Sequence, residues 1–170
     1  MSRELFSEFE TVADSCLRSP STTACQTGDV TELKLCLELR SQGCEIFSPF
    51  GHATKIDIIV ITPSKRVVRV QVKTATKVFH KEGRAGKGKG SPRWYVNTCQ
   101  VRTRHPTNGT PRFTHRRALY NSDDFDVLAV YSREHDMFLF YPSNETCQRT
   151  GLSLGASHFK AELQRWDMFS

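Results

Sequence analysis

The sequence has none of the features of a membrane-spanning or secreted protein. No apolar run approaches the roughly 18 residues that a transmembrane helix needs, and the acidic, polar N-terminus does not match a signal peptide. The six cysteines form no Cys-x-x-Cys pair, and no two histidines have the spacing of zinc ligands. We therefore expect free thiols in an intracellular, reducing compartment such as the cytoplasm or nucleoid, with no secretion and no membrane partner.

Acidic residues are nearly absent from one long segment of the chain. Between Ser64 and Arg117 there are 15 Lys and Arg residues and one acid, Glu82, so this segment carries +14 while the rest carries −8. Solvated surfaces usually mix both signs, whereas a segment of one sign is typical of polyanion binding. The asymmetry favours a nucleic acid as partner over an anionic membrane surface or a basic face without a ligand.

The basic segment includes a glycine-rich stretch, 83–90, which lacks the Gly-Lys-Ser/Thr ending of a nucleotide-binding loop. We interpret it as a flexible basic loop that wraps a nucleic-acid backbone. The predicted phosphate contacts are Lys77, Lys81, Arg84, Lys87, Lys89 and Arg93, followed by a second cluster of Arg102, Arg104, Arg112, Arg116 and Arg117.

Two runs of β-branched residues, 55–61 and 67–73, predict a β-hairpin with its turn at Pro63. Because side chains alternate along a strand, Gln71 and Lys73 share one face of the second strand. Asp57 lies near the start of the first strand and can reach the same end of the ribbon. An acid, an amide and an amine are therefore expected to converge there.

A helix is predicted over about 28–40, and Glu32 falls in the middle of its apolar face. A bare carboxylate in that position costs several kcal/mol unless it is paired, protonated or bound to a cation. One interpretation is that Glu32 lies near the start of the helix, where the macrodipole stabilises acids. The other is that it points at the same place as Asp57.

These segments together resemble the PD-(D/E)XK nuclease superfamily, and particularly its group I intron-encoded homing endonucleases, whose last motif is Gln-x-Lys. Archaeal Holliday-junction resolvases have a similar layout. The resemblance is clear over 26–77 and weaker over 125–142. It implies an α/β fold with a restriction-endonuclease-like core, in which helices flank a central mixed β-sheet. It also implies DNA phosphodiester cleavage that depends on Mg²⁺, with Mn²⁺ as a substitute.

The predicted roles follow from the needs of phosphodiester hydrolysis, a hard cation held by oxygen ligands and an activated water. Asp57 is the expected central metal ligand, joined by the Gln71 amide oxygen and the Val72 carbonyl. Glu32 supplies the second negative charge, directly or through water. Lys73 orients or deprotonates the water, or neutralises charge in the transition state. The structural alternative is an Asp57–Lys73 ion pair that covers the end of the sheet.

Two positions depart from the superfamily pattern. Ile56 stands where the name of the superfamily expects proline, and Gln71 replaces an acid. The second change leaves fewer charges for a metal. It is typical of the homing branch, and it would also be seen in an inactive copy.

We expect a single domain over 1–170, with an N-terminal helix in 1–20, a catalytic core over 26–77 and the basic DNA-binding region over 77–117. Strands and a closing helix at 157–169 are expected within 118–170. Cutting both strands of a duplex requires two active sites, which predicts a homodimer or homotetramer. The candidate interfaces are the strands 125–131 and 137–142 and the aromatic C-terminus.

The sequence therefore predicts a metal-dependent endonuclease that acts on double-stranded DNA, of the homing or restriction type. A structure-selective Holliday-junction resolvase would use the same centre. A catalytically inactive DNA-binding module on a nuclease core is the alternative from another functional class.

Overall fold

The computed structural model describes residues 24–50, 54–78, 92–104 and 114–170, and the predicted N-terminal helix lies outside them. The elements are α1 (Ala24–Ser41), β1 (Glu45–Phe47), β2 (Ile58–Ile61), β3 (Val67–Val78), β4 (Arg93–Asn97), β5 (Cys99–Arg104), β6 (Thr114–Leu119), β7 (Val127–Ser132), β8 (Met137–Pro142), α2 (Ser143–Thr146) and β9 (Gly151–Gly155). Three short 3-10 turns follow, Ala156–His158, Ala161–Leu163 and Trp166–Phe169.

The long strand β3 organises the sheet. Its first half pairs with β2 in antiparallel fashion and its middle with β7 in parallel fashion, while its last residues pair with β4. With β1, β8 and β9 the sheet has seven strands, and β5 and β6 form a separate two-stranded ribbon. The predicted central mixed sheet is confirmed.

One face of this sheet is covered by α1. Leu35 and Leu39 of the helix are fully buried and pack in the same cluster as Val70 and Val72 of β3. Removing a leucine from such a site costs about 2–5 kcal/mol. The helix is therefore fixed against the part of β3 that carries the Gln-x-Lys motif.

The predicted start of this helix was too late. The helix begins at Ala24, so Thr27 and Asp29 lie inside it and Glu32 is near its middle. It ends before Gly43, whose φ of 84° is left-handed, the conformation that glycine adopts without strain.

The predicted closing helix at 157–169 is wrong, because this segment forms only short 3-10 turns. Its last residues, including Trp166 and Phe169, pack on the same core as α1. The segment holds its shape through aromatic contacts with Phe140 rather than through continuous helical hydrogen bonds.

The strands proposed as subunit interfaces, 125–131 and 137–142, lie largely in the core of one chain. Every residue of β7 is buried, and Phe138, Leu139 and Phe140 of β8 are buried as well. Their apolar character is explained by the core of one chain. The ribbon of β5 and β6 and the edge strand β9 were not predicted, since polar and glycine-rich residues weaken their strand pattern.

An ion pair ties β3 to the start of β7. The Asp126 carboxylate accepts hydrogen bonds from the Arg69 backbone N–H at 2.7 Å, from its Nε at 3.1 Å and from its Nη2 at 2.7 Å. The Arg69 Nη1 also donates to the Asp123 carbonyl at 2.6 Å. This contact fixes the parallel register of the two strands.

Replacing Asp126 by Asn is expected to lower the free energy of unfolding by about 1 kcal/mol near neutral pH, because a partly exposed carboxylate loses its charged hydrogen bonds. The Arg69 guanidinium holds the pKa of Asp126 below its usual range. The stabilisation is therefore present above the unfolded pKa and is lost as the pH falls through the folded pKa. Urea unfolding at about pH 7 and about pH 2.5 measures it. Asp123→Asn is the control, and a loss that is equal at both pH values would contradict this explanation.

Candidate active site

The candidate site lies beside the first residue of β2. Asp57 lies one residue before β2, and its N–H donates to the Val70 carbonyl at 3.0 Å, which continues the ladder. At the next rung its side chain replaces a backbone partner, because Asp57 Oδ2 accepts from the Val72 N–H at 2.7 Å. The same oxygen accepts from Gln71 Nε2. The acid is thereby fixed on the open edge of β3.

Gln71 is buried, with 3% of its surface exposed. Besides its contact with Asp57, its Nε2 donates to the Val72 carbonyl at 3.3 Å. Its Oε1 accepts from the Tyr120 hydroxyl at 3.4 Å. Sequence reasoning missed Tyr120, since no motif or spacing marks a tyrosine that is 49 residues away in the chain.

Lys73 shares the face of Gln71, as the strand alternation predicts. Its Nζ lies 5.9 Å from the centroid of the Tyr120 ring. Among the ion pairs formed by the described residues, none joins Lys73 to Asp57. The two residues form no direct ion pair, although the lysine is near enough to lower the pKa of Asp57.

Glu32 comes from α1 and lies half-buried beside these residues, while its neighbour Leu33 is 62% exposed. Thr31 Oγ1 lies 3.2 Å from Thr74 Oγ1, so this turn of the helix is held against β3. Because Glu32 is near the middle of an 18-residue helix, the macrodipole at the helix start does not explain it. The alternative, that it points towards Asp57, agrees with the structure.

These side chains line one pocket of about 450 Å³. It is open to solvent and has a polar lining, with four threonines among its walls. Its lining residues are Thr27, Gly28, Thr31, Glu32, Asp57, Gln71, Val72, Lys73, Thr74 and Thr76. The pocket thus brings together all of the residues that the sequence predicted as catalytic.

The pKa values of both carboxylates in the pocket are raised. Burial and the charges of Asp57 and Asp29 raise the pKa of Glu32 to about 7, and Lys73 offsets only part of this. Burial also raises the pKa of Asp57, against the opposing effects of the Val72 N–H, Lys73 and Gln71. A pair of acids in this state gains free energy from a cation between them.

The donor set suits a hard divalent cation. In the part of the chain that the structure describes, no three His, Cys, Asp or Glu side chains form a metal cluster. The available oxygens are those of Asp57, Glu32, the Val72 carbonyl and the amide of Gln71, which are ligands of the kind that Mg²⁺ prefers. Gln71 currently turns its nitrogen to Asp57, so it must rotate its amide to offer an oxygen.

The predicted phosphate contacts are less fully described. Lys77 pairs with Glu134 at 2.6 Å, and Arg93 is exposed with its Nη1 3.4 Å from Ser153 Oγ. The backbone of β5 and β6 carries Arg102, Arg104, Arg116 and Arg117. Lys81, Arg84, Lys87, Lys89 and Arg112 lie outside the described residues.

Comparison with known proteins identifies the family. The family model of the PD-(D/E)XK endonuclease matches residues 22–160. The chain belongs to the PD-(D/E)XK endonuclease family. No curated protein matches the chain. Among solved structures, it is similar to a bacterial homing endonuclease, I-Ssp6803I, with 18% sequence identity and a TM-score of 0.59. That match covers 84% of this chain and 83% of the other.

Membership in the PD-(D/E)XK endonuclease family confirms the predicted family and the restriction-endonuclease-like α/β fold. It makes the chain a nuclease with DNA as the implied substrate, in a family that generally uses divalent metals. Within the described residues, no helix is both long and apolar enough to cross a membrane.

The raised pKa of Glu32 predicts that its charged form destabilises the metal-free protein. Its folded pKa of about 7 exceeds the ordinary value of 4.5, so stability falls as the pH rises from 4.5 to about 7. In EDTA, Glu32→Gln should therefore raise the free energy of unfolding by about 1–2 kcal/mol at about pH 8, after allowance for solvent screening, and by little at about pH 5.

Urea unfolding at the two pH values measures this difference. The matched control is Glu162→Gln, on an exposed 3-10 turn. If Glu32→Gln lowered the free energy of unfolding at the higher pH, the Glu32 carboxylate would stabilise the fold, and the prediction would be contradicted.

Proposed function

We propose that this chain is a Mg²⁺-dependent endonuclease that hydrolyses phosphodiester bonds in double-stranded DNA, of the homing or restriction type. The observation that carries the proposal is the meeting of Glu32, Asp57, Gln71, Val72 and Lys73 in one solvent-open pocket. They come from α1, the segment before β2, and β3. In a chain of the PD-(D/E)XK endonuclease family, this is the set of groups that hydrolysis requires.

Asp57, Glu32, the Gln71 amide oxygen and the Val72 carbonyl would hold the cation. When bound, it supplies Lewis-acid stabilisation of charge on the phosphate and a lower pKa for a bound water. The Val72 carbonyl already faces this group, since it lies 3.3 Å from Gln71 Nε2. Mn²⁺ can substitute, because it takes the same oxygen ligands.

Lys73 acts on the water and the phosphate. Its ammonium donates hydrogen bonds that orient the attacking water, and it balances negative charge that develops on the phosphate oxygens. As the new phosphorus–oxygen bond forms, the water gives up a proton to solvent, and the bond to the sugar oxygen breaks as that oxygen takes up a proton from solvent. Because Lys73 lies two residues after Gln71, the amine and the amide project from the same face of β3.

The β5–β6 ribbon is the part of the described chain best suited to the DNA duplex. Arg102 and Arg116 stand directly opposite each other in its ladder. Like charges in opposite positions destabilise a ribbon, and a polyanion removes that cost. A two-stranded antiparallel ribbon also has the width that the major groove of B-DNA admits.

Cleavage of both DNA strands further requires two pockets, so we retain a homodimer or homotetramer as part of the proposal. The side chains of β7 are buried within one chain, so they do not provide its contact surface.

Purified protein is expected to nick or linearise plasmid carrying its target when Mg²⁺ or Mn²⁺ is present, and not in EDTA. Asp57→Asn should abolish cleavage, and Lys73→Ala should slow it by at least about a hundredfold, because an electrostatic group at the reacting phosphate is lost. Plasmid libraries of random sequence and a synthetic four-way junction serve as substrates, with gel electrophoresis as the measurement.

The control is Lys160→Ala, which lies outside the pocket. Discrete cuts in the library support the homing or restriction type, whereas preferential cutting of the junction would replace it by a resolvase. Tight DNA binding without any cut across the library would contradict the enzyme and leave the inactive binding module.

The ribbon makes a separate prediction about binding. Arg102→Ala combined with Arg116→Ala should weaken binding to all DNA sequences, because the charges that contact phosphates are lost. The slope of log K against log salt should become shallower by about 0.9 for each phosphate contact removed. Fluorescence anisotropy in Ca²⁺ across a salt series measures both. Arg165→Ala, whose partner is Glu145, is the control, and an unchanged salt slope in the double variant would exclude the ribbon from the interface.

A further inference from the structure

A second pocket adjoins the candidate active site and takes no part in the proposed hydrolysis. It has a volume of about 600 Å³, and it shares Thr27, Thr74 and Thr76 with the active-site pocket. Its other lining residues are Ala75, Lys77, Trp94, Arg133 and Glu134. The two pockets therefore form one continuous groove along the second half of β3.

Two basic side chains reach this second pocket from neighbouring strands. Lys77 lies four residues after Lys73, so strand alternation puts both on the same face of β3. Strand β7 ends at Ser132, whose partner in the ladder is Ala75, and Arg133 follows it. Arg133 is exposed, and none of the ion pairs among the described residues includes it. An exposed guanidinium in this position is suited to bind a phosphate.

The other donors of the pocket are occupied by Glu134. Its Oε1 accepts from Lys77 Nζ at 2.6 Å, and its Oε2 accepts from Trp94 Nε1 at 3.1 Å. The hydrogen bond from Lys77 lowers the pKa of Glu134, which is therefore charged at neutral pH. An ammonium and an indole N–H thus already converge on one anion that the chain itself supplies.

This internal anion is one that a stronger external anion can replace. Glu134 is exposed and lies in the turn between β7 and β8, and an exposed ion pair contributes little to stability. Trp94 is only 4% exposed and its indole nitrogen can only donate, so it requires another acceptor when Glu134 leaves. A phosphate provides that acceptor, and its further oxygens can bind Lys77 and Arg133 at the same time.

We propose that this pocket binds a backbone phosphate of DNA that flanks the cleaved one: Lys77, Arg133 and the Trp94 indole hold the phosphate, which displaces the Glu134 carboxylate. The assignment rests on the proposed function, since the groove must hold DNA with its reacting phosphate beside Asp57. Glu134 is then an internal competitor of the substrate.

The role of Arg133 is tested by binding of a fluorescein-labelled DNA duplex to the full chain in Ca²⁺ across a salt series. Arg133→Ala should weaken binding and make the slope of log K against log salt shallower by about 0.9, because one phosphate contact is lost. The matched control is Arg149→Ala, another exposed arginine, which lines a different pocket. The same slope in the two variants would overturn the role of Arg133.

The competition predicts that removing an acid strengthens binding. Glu134→Gln keeps an oxygen for Trp94 and should lower the Kd for the duplex about three- to fivefold, because no internal ion pair has to be broken. The salt slope should stay unchanged, since the same phosphates are contacted. Glu145→Gln is the control, because it changes the net charge equally and removes a carboxylate that pairs with Arg165. Weaker binding in Glu134→Gln, or a gain equal to that of the control, would overturn the displacement.

A double-mutant cycle shows whether the competition passes through the lysine. In a Lys77→Ala background, Glu134→Gln should lose most of its gain, and an undiminished gain would overturn the competition for Lys77. Cleavage by the unaltered chain in Mg²⁺ separates the two proposals. If that cleavage requires Asp57 while Arg133 and Glu134 variants behave like their controls, the phosphate site fails and the proposed function stands. If the unaltered chain neither binds nor cuts DNA, both fail.

Discussion

The hydrogen bond from the Val72 N–H to the Asp57 carboxylate is the contact on which the candidate site depends. Strand β2 begins only at Ile58, one residue after Asp57, so the Asp57 side chain takes the place of the next backbone partner on β3. In a strand, the N–H and the carbonyl of one residue point to the same edge. The bond that anchors Asp57 therefore also turns the Val72 carbonyl towards it. The proposed ligands Asp57 and the Val72 carbonyl are thus brought together by the way the hairpin terminates.

This arrangement costs stability, and glutamine at position 71 limits the cost. Burial already raises the pKa of both acids in the pocket, and the charge of Asp57 raises that of Glu32 further. A third carboxylate at Gln71, which is buried, would add both desolvation and repulsion in the metal-free protein. The neutral amide instead donates to Asp57 and lowers the pKa of that acid. The same neutrality leaves less negative charge to attract a cation, so folding and metal affinity make opposite demands on this residue.

Much of the site could be predicted from local sequence because local rules place it. Alternation along β3 puts Gln71 and Lys73 on one face, and the hairpin register brings Asp57 opposite Gln71. Glu32 was identifiable because an acid on an apolar helix face needs an explanation. Tyr120 could not be identified, since its hydrogen bond to Gln71 depends on tertiary packing between segments that are distant in sequence.

The fold was predictable to a similar extent, and the predictions about it that were wrong failed for related reasons. Apolar, β-branched runs predicted β2, β3, β7 and β8, whose burial matches their composition. The closing segment has a helical spacing of apolar residues, yet two aromatic contacts with Phe140 of the core determine its path instead. Strands 125–131 and 137–142 look like an interface in isolation. Only the parallel pairing of β7 with β3 reveals that one chain already buries them.

The ribbon proposed to contact DNA is separate from the sheet that carries the candidate active site. The β5–β6 ribbon carries clustered positive charge and forms no ladder with the seven-stranded sheet. Its last strand ends next to Tyr120, which Phe125 and Gln148 hold in place independently of the ribbon. The groups around Asp57 come from α1, β3 and the segment before β2. Substitutions in the ribbon can therefore leave the geometry of the pocket unchanged.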